Sequence, residues 1–413
     1  MLRIVAIVAL LTLIAMRLGE FGSQAGAPLR CEIQGAPTLE TKVANGKAYF
    51  AANGKLLAAD LFTCDISWTW TPDYDVIWLT VSERAVFAID DVRGEERGSR
   101  ITALSTARGE AMWSAPVDFS ASTAYLHDGI LLVQGESSLA GLDSNTGRRL
   151  WKVPFEDPAF GEEFASGMVL VFSLENAYTN NEIKTVHAVD VHTGTERWRF
   201  TFEPALLSFT IPTREQIVLF DLEHFVDEGF ENVSYAFDLS TGELLWRVKD
   251  REVVFLGTSD GFGYGMHMIP DGSTTLHSFD LHSGEALWTV PTGFLPHAIA
   301  ITDRFVILLS YDDSSYVTKG IRTISAVDRI TGRTSWSATL EETLGGVASS
   351  SGFGYFVKRG SIVAVDFSNG ETEWSFRDDS LPLVPGQVTA SDAGIVIANY
   401  NTGSIYVFEP SSN

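Results

Sequence analysis

The chain has little positive charge. Its 413 residues include 29 lysines and arginines against 53 acidic residues, which gives a formal net charge of −24. A surface of that sign repels phosphate backbones and anionic lipid headgroups, so nucleic-acid binding is not expected. The acidic residues are spread along the sequence and indicate a solvated shell rather than an interaction tail.

Cysteine is also scarce, since the sequence holds only Cys31 and Cys64. Two cysteines cannot build a multi-bridge scaffold or a four-cysteine zinc site. The eight histidines do not occur at the spacings typical of metal ligands. We therefore expect no metal and no cofactor, with His192 and His282 as exposed turn residues and no metal role for His267 and His277.

Long hydrophobic runs are missing beyond the N-terminus, and no window after residue 26 has a helical apolar period. The apolar run Ile4–Met16 follows a positive start and precedes a small-x-small site at Ser23–Ala25. Residues 1–25 are therefore predicted to be a signal peptide or an N-terminal membrane anchor, and residues 26–36 an N-terminal segment. Either alternative delivers the rest of the chain outside the cytoplasmic membrane, where Cys31 and Cys64 could form a disulfide.

What the sequence does contain is a repeat with the form aliphatic-Asp-x-x-Thr-Gly-x-x-x-Trp. It is complete at Phe237–Trp246, and the acid or its equivalent always precedes the tryptophan by eight positions. Eight tryptophans fit this spacing: Trp68, Trp113, Trp151, Trp198, Trp246, Trp288, Trp336 and Trp374. The turn glycines of the well-kept copies are Gly147, Gly194, Gly242, Gly284, Gly332 and Gly370, while Cys64 replaces glycine in the first copy. A ninth copy begins at Ser404–Glu409 without a tryptophan.

The motif acids are 38 to 48 residues apart, a length that fits four short strands with short connections. Glycine at the turn tolerates a positive φ, and the tryptophan is large enough to fill the wedge between neighbouring sheets. We predict an all-β β-propeller of four-stranded antiparallel blades over residues 37–413, as one domain and a monomer.

These residues resemble the tryptophan-docking motif of the pyrroloquinoline-quinone-like (PQQ-like) repeat propellers. The resemblance covers about residues 36 to 413 and implies an eight-bladed ring, whereas the motif count mildly favours nine. In the nine-blade alternative the stretch Leu29–Gln34 completes the last blade.

The family includes quinoprotein alcohol dehydrogenases, which carry adjacent cysteines, calcium ligands and extra loops. This chain has no adjacent cysteines and no room for the extra loops. The resemblance therefore favours the non-catalytic branch, which includes a lipidated propeller of the outer-membrane barrel assembly machinery. We expect an exported, non-enzymatic binding or scaffold protein for a protein or glycan partner, with membrane contact only through an N-terminal anchor. The alternatives are a quinone- or metal-dependent oxidoreductase and a cell-envelope assembly factor.

Several local patterns carry weaker signals. Gly257–Gly261 matches a nucleophile elbow and Gly261–Gly265 a dinucleotide loop, but both need a following helix where a strand is expected. Acidic pairs at Asp90-Asp91, Asp221 with Glu223, Asp227-Glu228 and Asp312-Asp313 are predicted to lie in solvated loops. The insert from 220 to 235 is the best candidate for a partner-binding loop, with His224, Phe225 and Phe230 as its contact residues.

Overall fold

The computed structural model describes residues 29–35, 37–92, 98–157, 159–165, 167–175, 183–202, 205–212, 217–226, 229–249, 253–268, 274–292, 294–311, 322–340, 344–358, 361–377, 387–399 and 403–410. The predicted signal or anchor segment at 1–25 lies outside these residues. Within them, no helix is long and apolar enough to cross a membrane.

The described residues form 36 strands in nine four-stranded antiparallel sheets. The first sheet comprises β2 (Lys42–Ala44), β3 (Lys47–Ala52), β4 (Lys55–Asp60) and β5 (Ile66–Trp70). The second comprises β6 (Val76–Val81), β7 (Ala85–Val92), β8 (Gly98–Ser105) and β9 (Ala111–Val117). The third comprises β10 (Ala121–His127), β11 (Ile130–Gly135), β12 (Ser138–Asp143) and β13 (Arg149–Pro154).

The middle three sheets repeat this order. The fourth comprises β14 (Ala159–Ala165), β15 (Met168–Glu175), β16 (Ile183–Asp190) and β17 (Glu196–Thr201). The fifth comprises β18 (Ala205–Pro212), β19 (Ile217–Val226), β20 (Gly229–Asp238) and β21 (Leu244–Lys249). The sixth comprises β22 (Val253–Ser259), β23 (Phe262–Met268), β24 (Thr274–Asp280) and β25 (Ala286–Thr292).

The last three sheets include the chain's first strand. The seventh comprises β26 (Phe294–Ile301), β27 (Phe305–Tyr311), β28 (Arg322–Asp328) and β29 (Thr334–Leu340). The eighth comprises β30 (Leu344–Ser350), β31 (Phe353–Lys358), β32 (Ser361–Asp366) and β33 (Thr372–Arg377). The ninth comprises β34 (Gln387–Ser391), β35 (Gly394–Asn399), β36 (Ser404–Phe408) and, as its fourth strand, β1 (Leu29–Gln34).

The core consists of apolar clusters that each join two consecutive sheets. Leu170, Trp198 and Phe237, for example, pack the fourth sheet against the fifth. The series closes, because Ile33 and Val396 of the ninth sheet pack with Phe50 of the first. First strands of consecutive sheets also contact one another, as β6 does with β10, so these strands line the axis of a ring and the fourth strands form its outer edge.

The sequence prediction of a four-stranded propeller is therefore confirmed, with nine sheets among the described residues instead of the eight that the resemblance favours. The boundary drawn at residue 37 also differs from the structure, because Leu29–Gln34 pairs with β36 inside the ring. Because β1 pairs with β36, the first and last described strands lie in the same sheet. This sheet packs against the first sheet and closes the ring.

Candidate functional site

The motif acid accepts hydrogen bonds from the turn that follows it. Asp190 Oδ1 accepts the backbone N–H groups of His192 at 3.0 Å and Thr193 at 2.9 Å, and the Thr193 hydroxyl at 2.9 Å. A hydrogen bond from Arg197 lowers the pKa of Asp190 to about 2. Hydrogen bonds from turn residues also lower the pKa values of Asp60, Asp143, Asp238, Asp280 and Asp328. These carboxylates are committed to holding their own turns.

The motif tryptophan connects its sheet to the next one. Trp246 Nε1 donates to the carbonyl oxygen of Leu281 at 2.8 Å, and Leu281 follows the motif acid of the sixth sheet. The same bond, at 2.7 to 3.1 Å, recurs in six other pairs: Trp68 with Thr106, Trp113 with Ser144, Trp151 with Val191, Trp198 with Leu239, Trp288 with Arg329, and Trp336 with Phe367. Trp374 is buried in the cluster between the eighth and ninth sheets.

The motif glycine lies under the tryptophan ring of the preceding sheet. A Cβ on Gly284 would stand 2.8 Å from Trp246 Cδ2, and the glycine has a φ of +70°. The same relation links Gly109 to Trp68, Gly147 to Trp113, Gly194 to Trp151, Gly242 to Trp198, Gly332 to Trp288 and Gly370 to Trp336. Glycine is therefore required twice, for its backbone conformation and for the space that the indole occupies.

Cys31 of β1 and Cys64 of the first motif turn form a disulfide with a Cα–Cα distance of 6.1 Å. β1 belongs to the ninth sheet, so the bond joins the ninth sheet to the first.

The expected partner-binding loop is a strand extension rather than a loop. β19 and β20 pair from Ile217 opposite Asp238 to Val226 opposite Gly229, which makes this hairpin the longest of the described strand pairs. Backbone pairing places His224 opposite Glu231 and Phe225 opposite Phe230. The sequence does hold a signal for this strand, because the apolar run Ile217–Phe220 is rich in residues that favour strands and continues through Leu222, Phe225 and Val226.

The acidic pairs also differ from the loop prediction. Asp90 and Asp91 lie in β7, and Asp221 and Glu223 lie in β19, while Asp227-Glu228 and Asp312-Asp313 fall outside the described residues. Within the residues that the structure describes, no group of three His, Cys, Asp or Glu side chains could hold a metal ion.

Asp90 is the most unusual of these acids because it is 1% exposed. Burial raises its pKa to about 7, although Arg100 lies opposite in β8 and opposes the shift. Its Oδ1 has no hydrogen-bond partner among the described residues. The sequence carries no signal for this burial, because two adjacent aspartates are typical of solvent-exposed positions.

The arrangement that most resembles catalytic chemistry lies in the fourth sheet. Ser173 Oγ is 2.8 Å from His187 Nε2, and His187 Nδ1 is 2.7 Å from Glu196 Oε2. Ser173, however, pairs with Ala159 on one side and Thr185 on the other, so its backbone is committed to the sheet ladder. A nucleophilic serine needs nearby free N–H donors for the oxyanion, and a mid-sheet position uses those donors for pairing. The three side chains form a hydrogen-bonded network that satisfies a buried histidine.

The remaining glycine and histidine patterns lie in paired strands and the turns between them. Ser259 ends β22 and Phe262 begins β23, so Gly257–Gly261 precedes a strand and not a helix. His267 and His277 have ring centroids 5.9 Å apart, and His277 bonds Thr275 and Thr289.

Large apolar side chains are exposed in the fourth strands of the fifth and sixth sheets and in the motif turn before the fourth strand of the seventh. Leu244, Leu245, Leu287 and Ile330 are 38–57% exposed, and we call them the apolar edge. Leu245 precedes Trp246, whose indole N–H donates a hydrogen bond to Leu281 of the sixth sheet. Leu287 precedes Trp288, whose indole N–H donates to the carbonyl oxygen of Arg329, the neighbour of Ile330. The residues of the apolar edge are therefore neighbours in sequence of the residues that join the fifth sheet to the sixth and the sixth to the seventh.

Fold and junctions together define a β-propeller whose sheets are held by tryptophan-to-glycine contacts. The sequence profile described as outer membrane protein assembly factor BamB matches residues 97–206 and 272–412, which is more than half of the chain. The chain therefore belongs to this PQQ-like family.

Several solved structures are similar to the chain. A eukaryotic initiation factor superposes with a TM-score of 0.57 at 10% identity, covering 87% of this chain and 90% of its own. BamB from Moraxella catarrhalis gives 0.49 at 13% identity, with coverages of 93% and 99%. A europium-containing methanol dehydrogenase gives 0.48 at 12% identity, with coverages of 94% and 95%. No curated protein has significant sequence similarity to the chain.

Proposed function

We propose that this protein is an exported, non-catalytic propeller that binds a protein partner through its apolar edge. The observation that carries this proposal is the run of exposed leucine and isoleucine side chains across the fifth to seventh sheets. Large apolar residues that remain exposed at a polar surface are typical of protein interaction sites. An apolar edge favours a protein over a glycan, because glycans are bound mainly by polar groups and aromatic faces.

Export is supported by three observations of different kinds. The N-terminal sequence has the order of a targeting signal, the two cysteines are joined in a disulfide, and the matching family is described as an outer membrane protein assembly factor. Disulfides persist in compartments outside the reducing cytosol. A fusion of alkaline phosphatase to residue 413 is expected to be active in intact cells, and an inactive fusion would contradict export.

The binding proposal is tested by photo-crosslinking in cells. A photoreactive amino acid at position 287 is expected to give a discrete crosslinked species that disappears when Leu244, Leu245 and Ile330 are changed to serine. The matched control is position 112, where Met112 is an exposed apolar residue in β9 of the second sheet. Equal crosslinking at both positions would count against a specific edge.

Two other functions give different results. An envelope assembly factor, which the family description favours, predicts that the crosslinked species contains an outer-membrane β-barrel protein. A quinone-dependent oxidoreductase predicts stoichiometric binding of pyrroloquinoline quinone with calcium, and dye reduction by an alcohol. Dye reduction would overturn the non-catalytic proposal.

A further inference from the structure

The ninth sheet joins the first without a motif tryptophan. In every other sheet the tryptophan lies opposite the residue two places before the motif acid, as Trp246 lies opposite Ala236 and Trp374 opposite Ala364. The ninth motif acid is Glu409, so the equivalent position is Val407, and Val407 lies opposite Cys31. The register shift that precedes each tryptophan recurs between Leu29 and Cys31. Cys31 therefore occupies the tryptophan position of the ninth sheet.

On the first-sheet side of the same junction, Cys64 occupies the position of the motif glycine. Cys64 stands four residues after Asp60, where the other motifs place glycine. The φ of Cys64 is +66°, close to the values of +67° to +78° for the glycines that face tryptophan rings. Its N–H donates to the Asp60 carbonyl at 2.8 Å, just as the Gly242 N–H donates to Asp238 at 2.8 Å. Cys64 thus holds the glycine position, and the tryptophan it would face is the one that the ninth sheet lacks.

A third residue supplies the missing hydrogen bond. Arg30 Nη1 donates to the carbonyl oxygen of Leu61 at 2.8 Å. Leu61 follows the motif acid Asp60, and its equivalents accept the indole N–H at seven other junctions. The Arg30 guanidinium also lies over the Phe62 ring, 5.1 Å from its centroid. Arg30 and the disulfide together replace what one tryptophan does elsewhere.

From this equivalence we infer that Cys31–Cys64 is a redox latch that closes the propeller ring. Oxidation removes two electrons and two protons from the thiols and passes them to a disulfide-bearing oxidant, whereas a dithiol reductant returns them and restores the two thiols. Eight junctions are held by tryptophan contacts that do not respond to redox conditions. The closing junction is covalent, and once reduced it keeps the apolar cluster around Ile33 and Phe50 and the Arg30 contacts.

The latch is tested on the purified full chain by thermal unfolding and hydrogen exchange, with and without a thiol-free phosphine reductant. Reduction is expected to lower the unfolding temperature of the wild type by roughly 3–5 °C, from the loss of a 33-residue cross-link. Amide exchange in β1 and β36 is expected to accelerate at least tenfold, because these strands border the opened junction, while exchange in β20 stays constant.

Two variants separate the latch from an incidental disulfide. Cys31→Trp with Cys64→Gly restores the motif pair, and we expect its stability to be independent of reductant and above that of Cys31→Ala with Cys64→Gly. The alanine variant should resemble the reduced wild type under both conditions. A wild type whose β1 exchange is unchanged by reduction would overturn the latch. A tryptophan variant no more stable than the alanine variant would overturn the positional equivalence. If the tryptophan variant does not fold, the alanine variant and the reduced wild type still decide whether the bond closes the ring.

Discussion

The indole N–H of Trp246 donates to the carbonyl oxygen of Leu281 at 2.8 Å, across the junction of two neighbouring sheets. Trp246 also packs against Phe279, with ring centroids 6.0 Å apart. We expect Trp246→Ala to lower the free energy of unfolding by about 3–5 kcal/mol, since a large aromatic contact and a hydrogen bond are lost together. Urea unfolding measures this loss, and a value under about 1 kcal/mol would refute the role of Trp246 at the junction.

Gly284→Ala tests the space beneath that indole. The added Cβ would stand 2.8 Å from Trp246 Cδ2, and φ is +70°. Gly261 is a matched control in the same sheet, because its φ is +80° and nothing lies within 4 Å of its Cβ position. We expect a cost of about 1 kcal/mol for Gly261→Ala from the backbone alone and about 2–4 kcal/mol for Gly284→Ala. If urea unfolding gave equal losses for the two variants, the Trp246 indole would be able to move away from the added methyl group without a loss of stability.

The buried Asp90 predicts a loss of stability as pH rises. Its folded pKa of about 7 exceeds the ordinary value of 3.8, so the folded state binds more protons than the unfolded state between these values. The free energy of unfolding therefore falls as the pH increases from about 4 to 7. Asp90→Asn removes the ionisation, and we expect the variant to gain about 2–4 kcal/mol on the wild type between pH 4 and pH 8. A difference between the two proteins that does not vary with pH would contradict the assignment.

Asp190 predicts the opposite dependence in the acid range. Its hydrogen bond with Arg197 and the turn N–H groups lower the folded pKa to about 2 from 3.8. The stability it provides is complete above the unfolded pKa and is lost as pH falls from about 4 towards 2. In Asp190→Asn, the unfolding temperature should decline less steeply over this window. A slope equal to that of the wild type would contradict the role of Asp190 in this pH window.

The repeat architecture was predictable because the motif records both local and tertiary requirements. Gly284 marks a turn that needs positive φ, and Trp288 marks the strand that follows it, so the spacing of the motif indicated the strands, their order and their period. The partners were not predictable in the same way. That Trp246 bonds Leu281 and covers Gly284 depends on how one sheet meets the next, which a single motif does not encode.

The candidate site shows a sharper limit. Leu287 and Ile330 are large apolar residues 43 positions apart in the sequence, yet both are exposed. Asp90 looks like a solvated acid and is buried. Burial in a ring depends on which face of a strand meets the next sheet, and the alternation pattern does not distinguish an outer edge from an inner junction.

Strand β1 has a consequence for the order of events during synthesis. Its ladder partner β36 is made about 370 residues later, which corresponds to roughly 20–75 s of translation. Cys64 follows Cys31 by only 33 residues, so the disulfide can form while most of the chain is still missing. The disulfide would then hold β1 against the first sheet before β36 is made. When β36 is made, the position of the strand with which it pairs is already fixed.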